Sequence, residues 1–171
     1  MAKPYHKNDR KPEEKEFFEE VLQIDRVTRV VSGGRRLRFR ATVVIGNKKG
    51  KVGMGVGKAN EVVTAIQKAT RKAKKSFVEL DISNGTIPFP HKTKFKSAKL
   101  LLMPAGEGTG IIAGGASRKV IELVGIKNIL SKSLGSSNKI NLARATIQAL
   151  ENFTTAAKFL TDRTKKAEKA E

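Results

Sequence analysis

At 171 residues the chain can form one medium domain or two small ones without disulfides or metal. Lys and Arg total 35 against 16 Asp and Glu, a formal charge of +19 that exceeds what solubility needs and points to a polyanion such as nucleic acid. A membrane partner is not expected, since no apolar run approaches the roughly 18 residues of a span, and with no signal-peptide pattern and no cysteine the expected location is cytoplasmic.

Residues 1–16 read as a charged arm; through Glu20 the chain holds five basic and six acidic side chains and is almost neutral. From Val21 to Lys75 there are 15 basic residues against only Asp25 and Glu61, so the electrostatic footprint lies in the first half. Residues 21–31 are predicted to form a strand that carries Arg26, Thr28 and Arg29. It ends at Ser32-Gly33-Gly34, a loop able to adopt positive φ and flanked by Arg29, Arg35 and Arg36. Arg36, Arg38 and Arg40 then alternate with Leu37, Phe39 and Ala41, and period two puts arginines on one face and apolar groups on the other, the pattern of a half-buried strand. Gly46-Asn47-Lys48-Lys49-Gly50 reads as a turn, followed by Lys51 and by Val52, Met54 and Val56 alternating with Gly53, Gly55 and Gly57. Together they predict a basic-tipped hairpin. With Asn60 as the expected N-cap, Val62, Ile66, Ala69 and Ala73 recur at helical spacing while Lys68, Arg71, Lys72 and Lys75 take other faces. Residues 17–80 are thus expected to be a β-β-β-α unit.

Asn84-Gly85, Pro88 and Pro90 break the periodicity, which sets a domain boundary between Leu80 and Gly85. After four lysines between Lys92 and Lys99 comes an apolar strand at 100–103, then a Gly-rich loop and a helix over 116–124 stopped by Gly125. A short strand at 126–134 and a helix capped by Asn138, with Ile140, Ala143, Ile147 and Leu150 as its stripe, complete a βαβα domain over 81–153. The tail at 154–171 lacks a core pattern and is expected to be mobile or to order on a partner. The fold class is α+β, in two small domains.

Two glycine motifs invite an enzymatic reading and fail it on spacing. Gly53-Met54-Gly55-Val56-Gly57-Lys58 ends like a phosphate loop, but Val52 stands where the first glycine is required and Ala59 where magnesium needs a hydroxyl. Its three glycines instead allow another backbone, of RNA or of protein, to approach closely. Gly108, Gly110 and Ala113 match a degenerate dinucleotide fingerprint, yet no acidic residue follows at the ribose position, so a packing or interface loop is expected. His6 and His91 are the only histidines, each read as a surface residue, and Glu107 as a loop carboxylate without a partner. No catalytic residue, metal site or cofactor is expected, and the chain is not expected to be an enzyme. With no Trp and Phe39 turned inward, phosphate, shape and 2′-hydroxyl contacts should outweigh base readout.

Gly34-Arg35, Phe39-Arg40-Ala41, Val44-Ile45-Gly46-Asn47, Gly50-Lys51-Val52-Gly53, Gly55-Val56-Gly57-Lys58 and Glu61 resemble the signature of the small-subunit ribosomal protein five family. Two further blocks, residues 104–115 and Gly135-Ser136-Ser137-Asn138 with Arg144-Ala145-Thr146, are similar to the same family. The resemblance covers about 17–153 and implies an N-terminal domain like double-stranded-RNA-binding modules followed by a βαβα domain. It implies a structural constituent at the junction of head and body of the small subunit, bound to small-subunit ribosomal RNA. It also implies proteins four and eight as neighbours, a place near where messenger RNA enters, and a part in decoding accuracy. The loop over 27–35 matches the family loop that reaches toward the spectinomycin site. On these grounds the expected RNA contacts are Arg26, Thr28, Arg29, Ser32, Gly33, Gly34, Arg35, Arg36, Arg38, Lys48, Lys49, Lys51, Gly53, Gly55 and Lys58. Gly110 and Arg118 match the family's interface with protein four. A general RNA chaperone or assembly factor is the alternative that shares the same charge.

Overall fold

The computed structural model describes residues 17–80 and 85–167; the expected arm at 1–16, with His6, and most of the expected boundary lie outside them. Alternating and β-branched residues form β1 (Phe18–Val31) and β2 (Gly34–Gly46), which pair antiparallel from Phe18↔Gly46 to Val31↔Gly34. β3 (Lys51–Ala59) follows, and after α1 (Val62–Ala73) a short strand that the sequence reading missed, β4 (Phe77–Glu79), pairs with β3 at Lys51–Gly53. The sheet order is β1-β2-β3-β4. Helix α1 starts one residue later than expected: the Ala65 N–H donates to the Glu61 carbonyl at 3.0 Å, which makes Glu61 the N-cap in place of Asn60.

One face of this sheet is Ala41, Val43, Ile45 and Ala59, covered by the Ala65, Ala69 and Ala73 seam of α1. The three glycines of β3 lie under that seam. A Cβ at Gly55 would stand 2.0 Å from the Ala69 carbonyl oxygen and one at Gly57 2.3 Å from that of Ala65, so helix backbone rests directly on strand backbone. The close approach left open between RNA and protein is therefore made by the chain's own helix.

The opposite face belongs to the second domain. Leu22, alternating with Val21, faces away from α1 and joins Val44, Val52 and Met54, and a β-bulge between Val21 and Gln23 adds a residue to β1 there, so that Gln23 pairs with Thr42. Against them pack α2 (Gly115–Val124) and α3 (Lys139–Ala167), which cover one face of a second sheet made of β5 (His91–Phe95), β6 (Ala98–Pro104), β7 (Ile111–Ile112) and β8 (Ile129–Ser133). Its order is β5-β6-β8-β7, with β8 antiparallel to β6 and parallel to β7. The expected βαβα pattern thus gains two strands. β5 escaped notice because its outward Lys92 and Lys94 read as loop charge, and β7 is too short to show a period.

Gly125 ends α2 with φ 101°, as expected, and the Asn138 carboxamide oxygen accepts the Ile140 N–H at 3.0 Å to cap α3. The buried face of α3 differs from the expected stripe. Leu142, Ala143, Ala145, Thr146, Ala149, Leu150 and Phe153 are buried while Ile140 and Ile147 are only half-buried, because this helix packs on both α2 and the sheet and so buries a wide arc. Its backbone stays helical to Ala167, well into the tail expected to be mobile or to order on a partner, where Ala, Leu and Lys favour helix locally.

The two domains meet through the β2–β3 turn. Its Lys48 and Gly50 N–H groups donate to the Leu123 and Val124 carbonyls, both at 2.9 Å, and so satisfy two of the carbonyls that the end of α2 leaves without helical partners. Lys119 adds bonds to the Glu20 carboxylate (2.7 Å) and the Val21 carbonyl (3.1 Å) of β1.

Candidate nucleic-acid interface

β3 ends where Ala59 meets Phe39, so among the described residues the outer part of the β1–β2 hairpin has no third strand and no helix beside it. Leu37, expected to face a core, is 44% exposed there, and Val30 is 74% exposed. Register assigns the faces: Val27, Arg29, Arg36 and Arg38 share one, and Arg26, Thr28, Val30, Arg35 and Leu37 the other. Arg29 stands directly opposite Arg36, a like-charge pair that weakens the isolated hairpin. At the tip Gly34 takes φ 130°, a conformation side chains disfavour.

Between Val21 and Arg40 the sequence holds one carboxylate, Asp25, and it is taken. Asp25 Oδ2 accepts Arg40 Nε at 2.9 Å and Nη2 at 2.6 Å, while the Gln23 amide donates to Oδ1. The Arg40 hydrogen bonds hold the Asp25 carboxyl below its ordinary 3.8, against the opposing effect of burial. Among the described residues none of Arg26, Arg29, Arg35, Arg36 and Arg38 has an ion pair. A cleft of about 270 Å³ on the first face is lined by Val27, Thr28, Arg29, Arg36, Arg38 and Lys58, the last standing opposite Arg40 on β3.

The remaining expected contacts separate into two places. Lys48 and Lys49 are exposed, but in the turn past the other end of β2, which lies roughly 33 Å from Arg36 at the usual strand rise per residue. Lys48, with φ 55°, sets its ammonium 4.4 Å from the Phe18 ring, and Lys51 is paired with Glu79. Gly53 and Gly55 are corrected outright. Both are buried beneath α1, and their task is to admit that helix.

Three cations absent from the expected set stand beside Lys58. Lys68, Arg71 and Lys72 are exposed on α1 and line a second cleft with it. Their i, i+3, i+4 spacing was visible in the sequence; their nearness to Lys58 was not. In the second domain, Arg118 Nη2 donates to the Ile111 carbonyl at 3.1 Å, which holds it next to Gly110. Gly110, with φ 73°, is itself tied to Asn128 Oδ1 at 3.0 Å and to the Ile129 N–H at 3.1 Å. His91 is corrected too, from a surface residue to a half-buried one: its ring lies 5.4 Å from Phe153 and 6.4 Å from Phe89, with Asn152 Nδ2 at 3.1 Å from Nε2. No cluster of three or more metal-ligating side chains occurs among the described residues.

A basic hairpin projecting from a helix-backed sheet, fused to a second α+β domain, can now be set beside known proteins. Residues 17–81 match the family model for the N-terminal domain of ribosomal protein S5, and residues 93–163 match that for its C-terminal domain. The chain belongs to the ribosomal protein S5 family. A Campylobacter jejuni protein named small ribosomal subunit protein uS5 is 54% identical over 135 residues, covering 79% of this chain and 92% of the relative. A Thermotoga maritima protein of the same name is 52% identical over 138 residues, covering 81% of this chain and 78% of that one. These names describe structural ribosomal proteins and agree with the expectation that the chain is not an enzyme. The two matched domains, with the two sheets and their helices, agree with two α+β domains as the fold.

Proposed function

We propose that the outer β1–β2 hairpin is the principal contact of this S5-family protein with small-subunit ribosomal RNA in the cytoplasmic ribosome. One observation carries the reading: the hairpin extends past its own core and presents five arginines with no acidic partner among the described residues. Such charges lower the stability of the free protein slightly and gain their return only against phosphates. Ser32, Gly33 and Gly34 make a slim tip whose open surroundings let the flanking arginines reach into folded RNA.

The second domain acts as a protein dock. Its sheet leaves one face uncovered among the described residues, where Met103, Leu130 and Ile112 adjoin Lys92, Lys94, Lys99 and Lys132, and register puts all of them on that side. Small-subunit proteins four and eight are the proposed neighbours, with Gly110 and Arg118 toward protein four. By fixing RNA and proteins at the head–body junction, near where messenger RNA enters, the chain contributes to decoding accuracy. The rigid seam between the domains supports this reading, because a contact on either domain is transmitted through one core.

The test is the salt dependence of binding to purified small-subunit RNA. Replacing Arg35 and Arg36 with Ala is expected to reduce the slope of log affinity against log salt by close to one unit per lost phosphate contact, about two in all. An unchanged slope removes the hairpin from the interface. Equal affinity for unrelated folded RNA would favour the chaperone alternative.

A further inference from the structure

We propose that the basic surface continues from the hairpin across the open edge of β3 onto α1, as one track for a sugar-phosphate backbone; the inference rests on the RNA-binding reading above. Lys58 is the link. Its side chain lines the hairpin cleft with Arg29, Arg36 and Arg38, and it also lines an open cleft of about 640 Å³ with Val56, Gly57, Lys68, Arg71 and Lys72.

Three features of the second cleft point to phosphate. First, Lys68, Arg71 and Lys72 crowd one exposed face of α1, and none of them, nor Lys58, is in an ion pair among the described residues. Like charges at i, i+3 and i, i+4 weaken an isolated helix, so the arrangement is one that a polyanion relieves. Second, β4 pairs with β3 only at Lys51–Gly53, so beyond it the outer edge of β3 has no partner strand among the described residues. Main-chain N–H groups on such an edge are free donors, and flanking lysines are a usual guard against another protein strand adding there. Third, no aromatic ring lines the cleft, so it offers nothing for base stacking, and beyond Val56 and Gly57 its lining is the stems and heads of Lys58, Lys68, Arg71 and Lys72. Cations beside free amides are a chemistry that phosphate oxygens satisfy.

The experiment compares double variants of the full chain, each losing two positive charges, in salt titrations against purified small-subunit ribosomal RNA. Lys68→Ala with Arg71→Ala is expected to lower the salt slope by about two units, whereas Lys74→Ala with Lys75→Ala, exposed just past the C-terminal end of the same helix and outside the cleft lining, should leave it nearly unchanged. Lys68→Arg with Arg71→Lys keeps the charge and should keep the slope, and unchanged circular dichroism shows that each variant is folded. Equal losses from both alanine pairs would mean that only total charge matters, and no loss from the first pair would end the track at the hairpin; either overturns the proposal. Failure of the Arg35 and Arg36 variant to change the slope is a different result, and it would strike the RNA-binding reading itself.

Discussion

The inner and outer parts of the β1–β2 hairpin share one run of paired strand, but residues 41–46 carry no charge and residues 34–38 carry three arginines, and the two parts have opposite fates. Inside, residues 41–46 of β2 are buried between α1 on one face and α2 with α3 on the other. Outside, residues 34–38 are exposed on both faces, apolar Leu37 included. The same backbone ladder runs through both, so strand formation alone does not decide burial; what decides it is where β3 and α1 stop. Stability is concentrated in the inner part, and charge without an ion pair among the described residues in the outer part.

A single glycine substitution made in each part breaks the comparison most sharply. Gly55→Ala drives a methyl into the Ala69 carbonyl and is expected to lower the unfolding free energy by about 3 kcal/mol, read from urea denaturation. Gly33→Ala, which meets nothing within 4 Å and has no positive φ, is expected to change stability by less than about 0.5 kcal/mol. Comparable losses from both would show that the outer part is packed in solution.

Much of this division was legible beforehand, and its limits are instructive. Charge counts placed the footprint in the first half, and the Ser32-Gly33-Gly34 tip, the Asn138 cap and the Gly125 stop are local signals that survive in the structure. Residues 36–41 misled because alternation records which face a side chain takes and not whether anything covers that face. Gly53, Gly55 and Gly57 announced a close approach, but the partner, a helix seam of three alanines, is a tertiary fact. The family resemblance identified the chain's kind; it did not place Lys68, Arg71 and Lys72 beside Lys58.

Asp25 sits where the two parts meet, and its ion pair with Arg40 sharpens the boundary. Asp25→Asn is expected to lower stability by about 1 kcal/mol at pH 7, since a partly buried charge-assisted bond is replaced by a neutral one. The pH dependence follows from the depressed carboxyl. Because the folded protein holds Asp25 below its ordinary 3.8, the stabilisation is complete above that value, declines as pH falls toward the folded value and is absent below it. Denaturation of both proteins from pH 7 down to pH 2 should therefore show two curves converging in acid. A gap that persists at the lowest pH would assign the effect to packing.

The smallest expected effect has the opposite sign. Arg36 faces Arg29 across the hairpin with no ion pair to either among the described residues, so Arg36→Ala removes a repulsion and should raise stability, by about 0.5 kcal/mol at most. Exposed charges are screened by salt, and the gain should shrink as ionic strength rises from 50 mM to 500 mM, where the Debye length falls to only a few ångströms. The same variant is expected to bind small-subunit RNA more weakly, because the repulsion in the free protein and the attraction to phosphate arise from one charge. A substitution that stabilises the fold while weakening the complex distinguishes a surface shaped by its partner from one shaped by packing. Loss of stability on removing Arg36 would place it instead in a structural contact, with the outer hairpin then an extension of the inner one.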